Sequence, residues 1–208
     1  MKEDQDYIRD IAEMRSLMER SSKFMSLSGL AAILVGIYAL AGAGTAYFVL
    51  DFNPQQLIDT NLQAGTITPN LRNVIILAII TLVLGISTAI ILSNKQALKR
   101  GIRPWNPTTR RLMINMAVPL IIGGLLILVL LSKGFVGLAA PFTLIFYGLA
   151  FYNASKYTYE EVRSLGLILA VLGLIGSWFV EYGVMLWALG FGVVHIIYGI
   201  YIHYRHER

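Results

Sequence analysis

The chain contains no cysteine. Disulfides, thiolate metal centres and cysteine nucleophiles are therefore excluded. Charge is scarce: 14% of the 208 residues are Asp, Glu, Lys or Arg, against roughly 25% in soluble domains. With 56% of the residues hydrophobic, an intrinsically disordered chain is excluded as well. Histidine occurs three times, at 195, 203 and 206. No carboxylate lies in the core of a long apolar run, so a carboxylate-based proton or cation pathway has no ligand set. No glycine-rich nucleotide loop is present, and no lysine suits a retinal-type Schiff base. These gaps predict no catalytic residues, no metal, no cofactor and no enzymatic activity.

What is present is length without polarity. A spanning helix needs about 20 mostly apolar residues. Six stretches qualify: 24–50, 74–92, 112–131, 135–152, 164–180 and 184–204. Continuous apolar runs favour helices over a barrel, whose strands alternate. An isolated strand would also leave its backbone groups unpaired in lipid. The fold class is therefore all-α, a polytopic membrane protein of six transmembrane helices. No connection approaches the ~50 residues of a minimal soluble domain, so function must lie in the helix bundle, its surfaces or the N-terminal segment.

Basic residues set the expected orientation. Fifteen of the seventeen Lys and Arg residues fall in the N-terminal segment, the second and fourth connections and the tail at 205–208; the other two are Arg72 and Lys133. By the positive-inside rule this places both termini in the cytoplasm. The bases are spread over four short segments, which disfavours nucleic acid as a partner. The lipid bilayer, including its anionic headgroups, fits better. Lys95, Lys99, Arg100, Arg103, Arg110 and Arg111 lie together in the connection 93–111 without any acid, and Trp105 beside them suits the headgroup level. These seven are the candidate anionic-lipid contacts. Pro107 is placed to open an extension of the third span.

Residues 1–23 read as a cytoplasmic amphipathic helix. Tyr7, Ile11, Met14 and Met18 recur at spacings of four, three and four and form one apolar stripe. The stripe suits the membrane surface, self-association or a membrane or cytoplasmic protein partner. The outer connection 51–73 contains a short helix signal after Asn53-Pro54, stopped by Gly65. Gly29 and Gly36 in span one, and Gly166 and Gly173 in span five, share a seven-residue spacing. That is a possible trace of an internal repeat, on faces that let helices approach closely.

Pro119 and Pro141 read as mid-span prolines, hence candidate hinges that free the carbonyls of Asn115 and Gly137. A polar residue deep in a span is a functional candidate by default. His195 is the clear case, near the middle of span six. Tyr38, Thr81 and Thr143 stand at similar depth in other spans, and with His195 they form the candidate intramembrane polar site. Ser177 and His195 invite comparison with intramembrane serine proteases. Their depths differ by ~11 Å at 1.5 Å per residue, too far for a hydrogen bond. His203 and His206 read as headgroup-level side chains.

The opening Ile8-Arg9-Asp10, the stretch Met18-Glu19-Arg20-Ser21-Ser22-Lys23-Phe24 and then Ser28-Gly29-Leu30 resemble an uncharacterised group of small bacterial membrane proteins. The resemblance covers about the first 40 residues. It implies six spans and a bacterial inner (cytoplasmic) membrane, and no named activity. The expected function is non-enzymatic: association between helices in a regulatory or scaffolding role. The alternative is a small transporter or channel for a neutral or weakly polar solute, with His195 near the midplane.

Overall fold

The computed structural model describes residues 28–52 and 69–207. The stripe Tyr7, Ile11, Met14 and Met18, and the short helix expected in the outer connection, lie outside the described residues. The described residues are helical and contain no strand. Six helices are long and apolar enough to cross a membrane: α1 (Gly29–Val49), α2 (Pro69–Lys99), α3 (Pro107–Ser132), α4 (Val136–Tyr157), α5 (Glu161–Trp178) and α6 (Val180–Glu207). Isoleucine, leucine and valine dominate their outer surfaces, as lipid contact requires.

Local chemistry sets the helix ends. Asn106 caps α3 by accepting from the Thr109 amide at 2.8 Å, with Pro107 at the first helical position, where no amide is missed. Thr109 is fixed further by its hydroxyl, which donates to the Pro104 carbonyl at 2.9 Å. α2 runs past the apolar stretch, through Lys95 to Lys99, before Gly101 turns the chain at φ +68°. The Ile102 amide then reaches back to the Ala97 carbonyl at 2.9 Å, a glycine-dependent C-cap. Lys95 and Lys99 thus belong to the end of a helix, where cations suit its dipole, and not to a loop.

Packing is organised by two antiparallel pairs. In α1–α6, a Cβ on Gly29 would lie 2.5 Å from the Gly199 carbonyl oxygen, and one on Gly199 would lie 2.6 Å from the Gly29 carbonyl oxygen. One seven-residue step on, a Cβ on Gly36 would meet the Gly192 carbonyl oxygen at 2.7 Å. In α4–α5 the same reciprocity holds between Gly148 and Gly166, at 2.5 and 2.6 Å. There the next step sets Gly173 against the Pro141 carbonyl oxygen at 2.7 Å. The shared spacing seen in the sequence therefore has the same use twice: backbone-to-backbone contact that only glycine permits.

α6 also packs on α4 and α5, around the buried residues Leu144, Leu165 and Leu169. α2 rests on α1, and α3 rests on α4, with Gly123 making room for the Phe146 ring. α2 and α3 are the flanks of the bundle.

Pro141 does not sit mid-helix. A 3-10 turn, Val136–Leu138, opens α4, and the regular helix starts at Ala139, so Pro141 falls in its first turn. First-turn amides lack intrahelical partners, so this proline costs no bond and supplies no kink. Pro119 does lie in the interior of α3, and it is buried.

Candidate functional site

α6 changes its winding just before His195. Residues Ala188–Val194 form a π-helical segment, and His195 opens the α-helical stretch that follows. Such segments are frequent at functional sites. Gly190 and Gly192 inside it let α6 close on its neighbours. A Cβ on Gly190 would lie 2.6 Å from Leu144, and one on Gly192 would lie 2.4 Å from Leu40. His195 is 2% exposed.

The His195 Nδ1 lies 2.9 Å from the Gly190 carbonyl oxygen. A carbonyl only accepts, so Nδ1 carries the proton and, in the neutral ring, Nε2 presents a lone pair. That Nε2 is buried without a hydrogen-bond partner, and so is the hydroxyl of Tyr198, one turn further along α6. Aromatic rings enclose the imidazole: Phe191 stacked at 5.6 Å between centroids, Tyr147 tilted at 5.6 Å and Phe151 edge-on at 6.2 Å. The His195 Nε2 and the Tyr198 hydroxyl each offer one unused hydrogen-bonding position inside the bundle. They make no nucleophile–base pair, and Ser177 instead donates to the Gly173 carbonyl at 2.9 Å.

Among the described residues no hydrogen bond joins the other members of the expected polar site to His195. Thr143 donates to the Ala140 carbonyl at 2.6 Å and accepts from the Trp187 indole at 3.0 Å. Thr81 donates to its own helix at the Leu77 carbonyl, 2.9 Å away, and faces Gly42 of α1. Tyr38 is half-buried on α1. The residues that do meet His195 are aromatic. Two i, i+4 pairs, Tyr147/Phe151 and Phe191/His195, carried that signal in the sequence.

A second polar cluster gathers where α1, α2, α5 and α6 end. The Arg100 guanidinium donates to the Tyr159 hydroxyl at 2.9 Å and to the His206 carbonyl at 2.5 Å. The Tyr159 ring stacks on His206 at 4.2 Å. Burial pushes the Tyr159 phenol above its ordinary pKa, and the Arg100 contact opposes this. Glu161 pairs with Arg205 at 3.1 Å and with His206 at 3.4 Å. Glu207 accepts from His203 Nδ1 at 2.6 Å through one oxygen and from the Gly29 amide at 2.7 Å through the other. The carboxylate thereby caps α1 from the far end of the chain, at the positive end of its dipole. His203 and His206 are therefore partnered by carboxylates. Among the described residues no group of three or more His, Asp or Glu converges on a metal position.

Removing the cap gives a measurable effect. Glu207→Ala should cost about 1–2 kcal/mol, the scale of a lost charged cap and hydrogen bond. The midpoint of thermal unfolding in detergent should fall by several degrees. An unchanged midpoint would show that Glu207 contributes nothing to closure of the α1–α6 pair.

Of the candidate lipid contacts, Arg100 is thus engaged inside the protein. Lys95, Lys99 and Arg103 are exposed. Trp105, Arg110 and Arg111 line one open groove with Asn106, Pro107 and Ile114. No family model, curated protein or solved structure matches the chain.

Proposed function

We propose that this chain is a non-enzymatic integral protein of a bacterial inner membrane, with both termini cytoplasmic, acting through helix association as a scaffolding or regulatory component. The observation that carries this reading is the standing of α2. Only 6% of its most apolar window is buried, against 33% for α4 and for α5. Its extensive packing is with α1, and beyond its end Arg100 bonds to Tyr159 and His206, while the glycine contacts close the α1–α6 and α4–α5 pairs without it. Ile79, Val83, Ile86 and Ile90, spaced four, three and four, are each half-exposed on α2. A further helix seated on this row would bury it by van der Waals packing, the main attraction available in lipid.

The absence of cysteine makes the test direct. Single-cysteine variants along α2 are oxidised in native membranes. A second copy of the chain seated on this row supplies the second thiol, so disulfide crosslinking should peak at 79, 83, 86 and 90 and fall between them. A flat profile at the level of a lipid-facing α3 position would remove this reading. The orientation follows from the basic asymmetry. Reporters at the C-terminus and in the connection between α1 and α2 should report opposite sides, and a periplasmic C-terminus would overturn it.

A second reading, a small transporter or channel for a neutral or weakly polar solute, is favoured by the two unpartnered atoms at His195 and Tyr198.

A further inference from the structure

We infer that the start of α3 holds one anionic phospholipid, its phosphate against Arg110 and Arg111 and one acyl chain along the outer face of the helix. The inference is independent of the association reading, because α3 and α2 lie on different flanks.

The headgroup part is a groove of about 550 Å³ lined by Trp105, Asn106, Pro107, Arg110, Arg111 and Ile114. Its floor is rigid. The Asn106 cap and the hydroxyl bond from Thr109 to Pro104 fix the path from 104 to 109. That path holds Trp105 outward at 70% exposure, where an indole suits the headgroup level and not open water. Arg110 and Arg111 are exposed. Among the described residues, neither guanidinium has a carboxylate within ion-pair distance. The stretch 93–111 contains no acid to supply one. Two forked guanidinium donors with no carboxylate partner among the described residues match a phosphate, which arginine binds through paired N–H groups.

The acyl part continues from the same groove. Ile114, Val118, Ile121, Leu125 and Leu128 are 52–63% exposed. At 100° per residue they share, with Pro107, Arg110 and Arg111, a sector about 100° wide. Leu112, Pro119 and Gly123, which are buried, point the other way. From Ile114 to Leu128 the row runs about 21 Å at 1.5 Å per residue, more than the ~15 Å half-thickness of a hydrocarbon core. Charge above and a continuous apolar row below fit a glycerophospholipid. Inorganic phosphate shares only the headgroup chemistry.

The test uses the full chain in an uncharged detergent, titrated with phosphatidylglycerol or phosphatidylcholine and read by native mass spectrometry. One phosphatidylglycerol should be retained per chain, with phosphatidylcholine about tenfold weaker. The double variant Arg110→Gln/Arg111→Gln should lose about tenfold or more in affinity, the scale of two lost guanidinium contacts. Lys95→Gln/Lys99→Gln removes the same charge from α2 and should change binding less than about twofold. A short-chain phosphatidylglycerol should bind more weakly than the long-chain one. Thermal melting of each variant shows that the fold is kept; the altered side chains are exposed, so it should be. Equal losses in the two double variants, equal binding of the two lipids, or displacement by millimolar inorganic phosphate would each overturn the inference.

Discussion

Replacing Gly148 by valine should unfold the bundle, while replacing Gly124 by alanine should leave it intact or strengthen it. A Cβ at Gly148 would stand 2.5 Å from the Gly166 carbonyl oxygen and 2.6 Å from the Ala170 amide nitrogen. Both are backbone atoms, which no rotamer change can move aside. α4 and α5 would have to separate along a contact that also includes Gly166 and Gly173. Overpacking against side chains typically costs about 1–3 kcal/mol, and a clash with a helix backbone belongs above that range. At Gly124 nothing lies within 4 Å of the same atom, and alanine is favoured over glycine in a helix interior by about 1 kcal/mol. The comparison is read by thermal unfolding in detergent and by gel filtration. Gly148→Val should give little monodisperse protein, and Gly124→Ala should melt at or above the parent. A Gly148→Val protein that melts with the parent would show that the α4–α5 contact is looser than described.

The same geometry shows what a linear reading can and cannot supply. Helix number and class were legible because lipid permits few alternatives to a continuous apolar helix. The start of α3 was legible because Asn106 and Pro107 are a local signal. The seven-residue spacing of Gly29/Gly36 and Gly166/Gly173 was visible too, but not the helices it would meet. That depends on which faces turn toward each other across the bundle. His195 was found by its depth, and Tyr38, Thr81 and Thr143 were grouped with it by depth alone. Depth is a one-dimensional coordinate. Azimuth is set by packing, and packing surrounds the imidazole with Tyr147, Phe151 and Phe191. Glu161 and Glu207 were missed for a related reason. Glu207 meets Gly29 across 178 residues and Glu161 meets His206 across 45, so no local pattern announces either contact. Pro141 was misplaced because a 3-10 turn before α4 moves the start of the regular helix to Ala139.

These contacts divide the molecule by stiffness. The α1–α6 and α4–α5 pairs are locked at backbone distance, and the cluster of Arg100, Tyr159, Glu161, His206 and Glu207 ties their ends. α2 packs mainly on α1 and α3 mainly on α4, and both carry broad apolar faces. The proposed association through α2 and the inferred lipid site on α3 both draw on surfaces that the locked core does not use, so changes there should alter binding while leaving the fold standing.

The substitution His195→Leu should fold nearly as well as the parent, and His195→Lys should not. The histidine makes one bond, from Nδ1 to the Gly190 carbonyl. A typical intramolecular hydrogen bond contributes about 0.5–1.5 kcal/mol net. Its other nitrogen is buried without a partner, a state that costs about 1–3 kcal/mol. Leucine loses the first and removes the second, and it is apolar among Tyr147, Phe151 and Phe191. The two effects offset, so the melting point should move little. Lysine places an ammonium at the same point, among aromatic rings. A charged residue at a span centre costs about 2.5–3.5 kcal/mol on insertion scales, and the closely packed glycines of α6 leave its stem little room to reach an interface. Expression and melting in detergent separate the two variants. Osmotic swelling of vesicles in a neutral solute such as glycerol then tests the transport reading on the same proteins. Should swelling depend on the chain and vanish in a well-folded His195→Leu, the imidazole lines a solute path. Swelling that is equal in both, with leucine stable and lysine unfolded, makes His195 a structural residue whose spare nitrogen the aromatic packing simply tolerates.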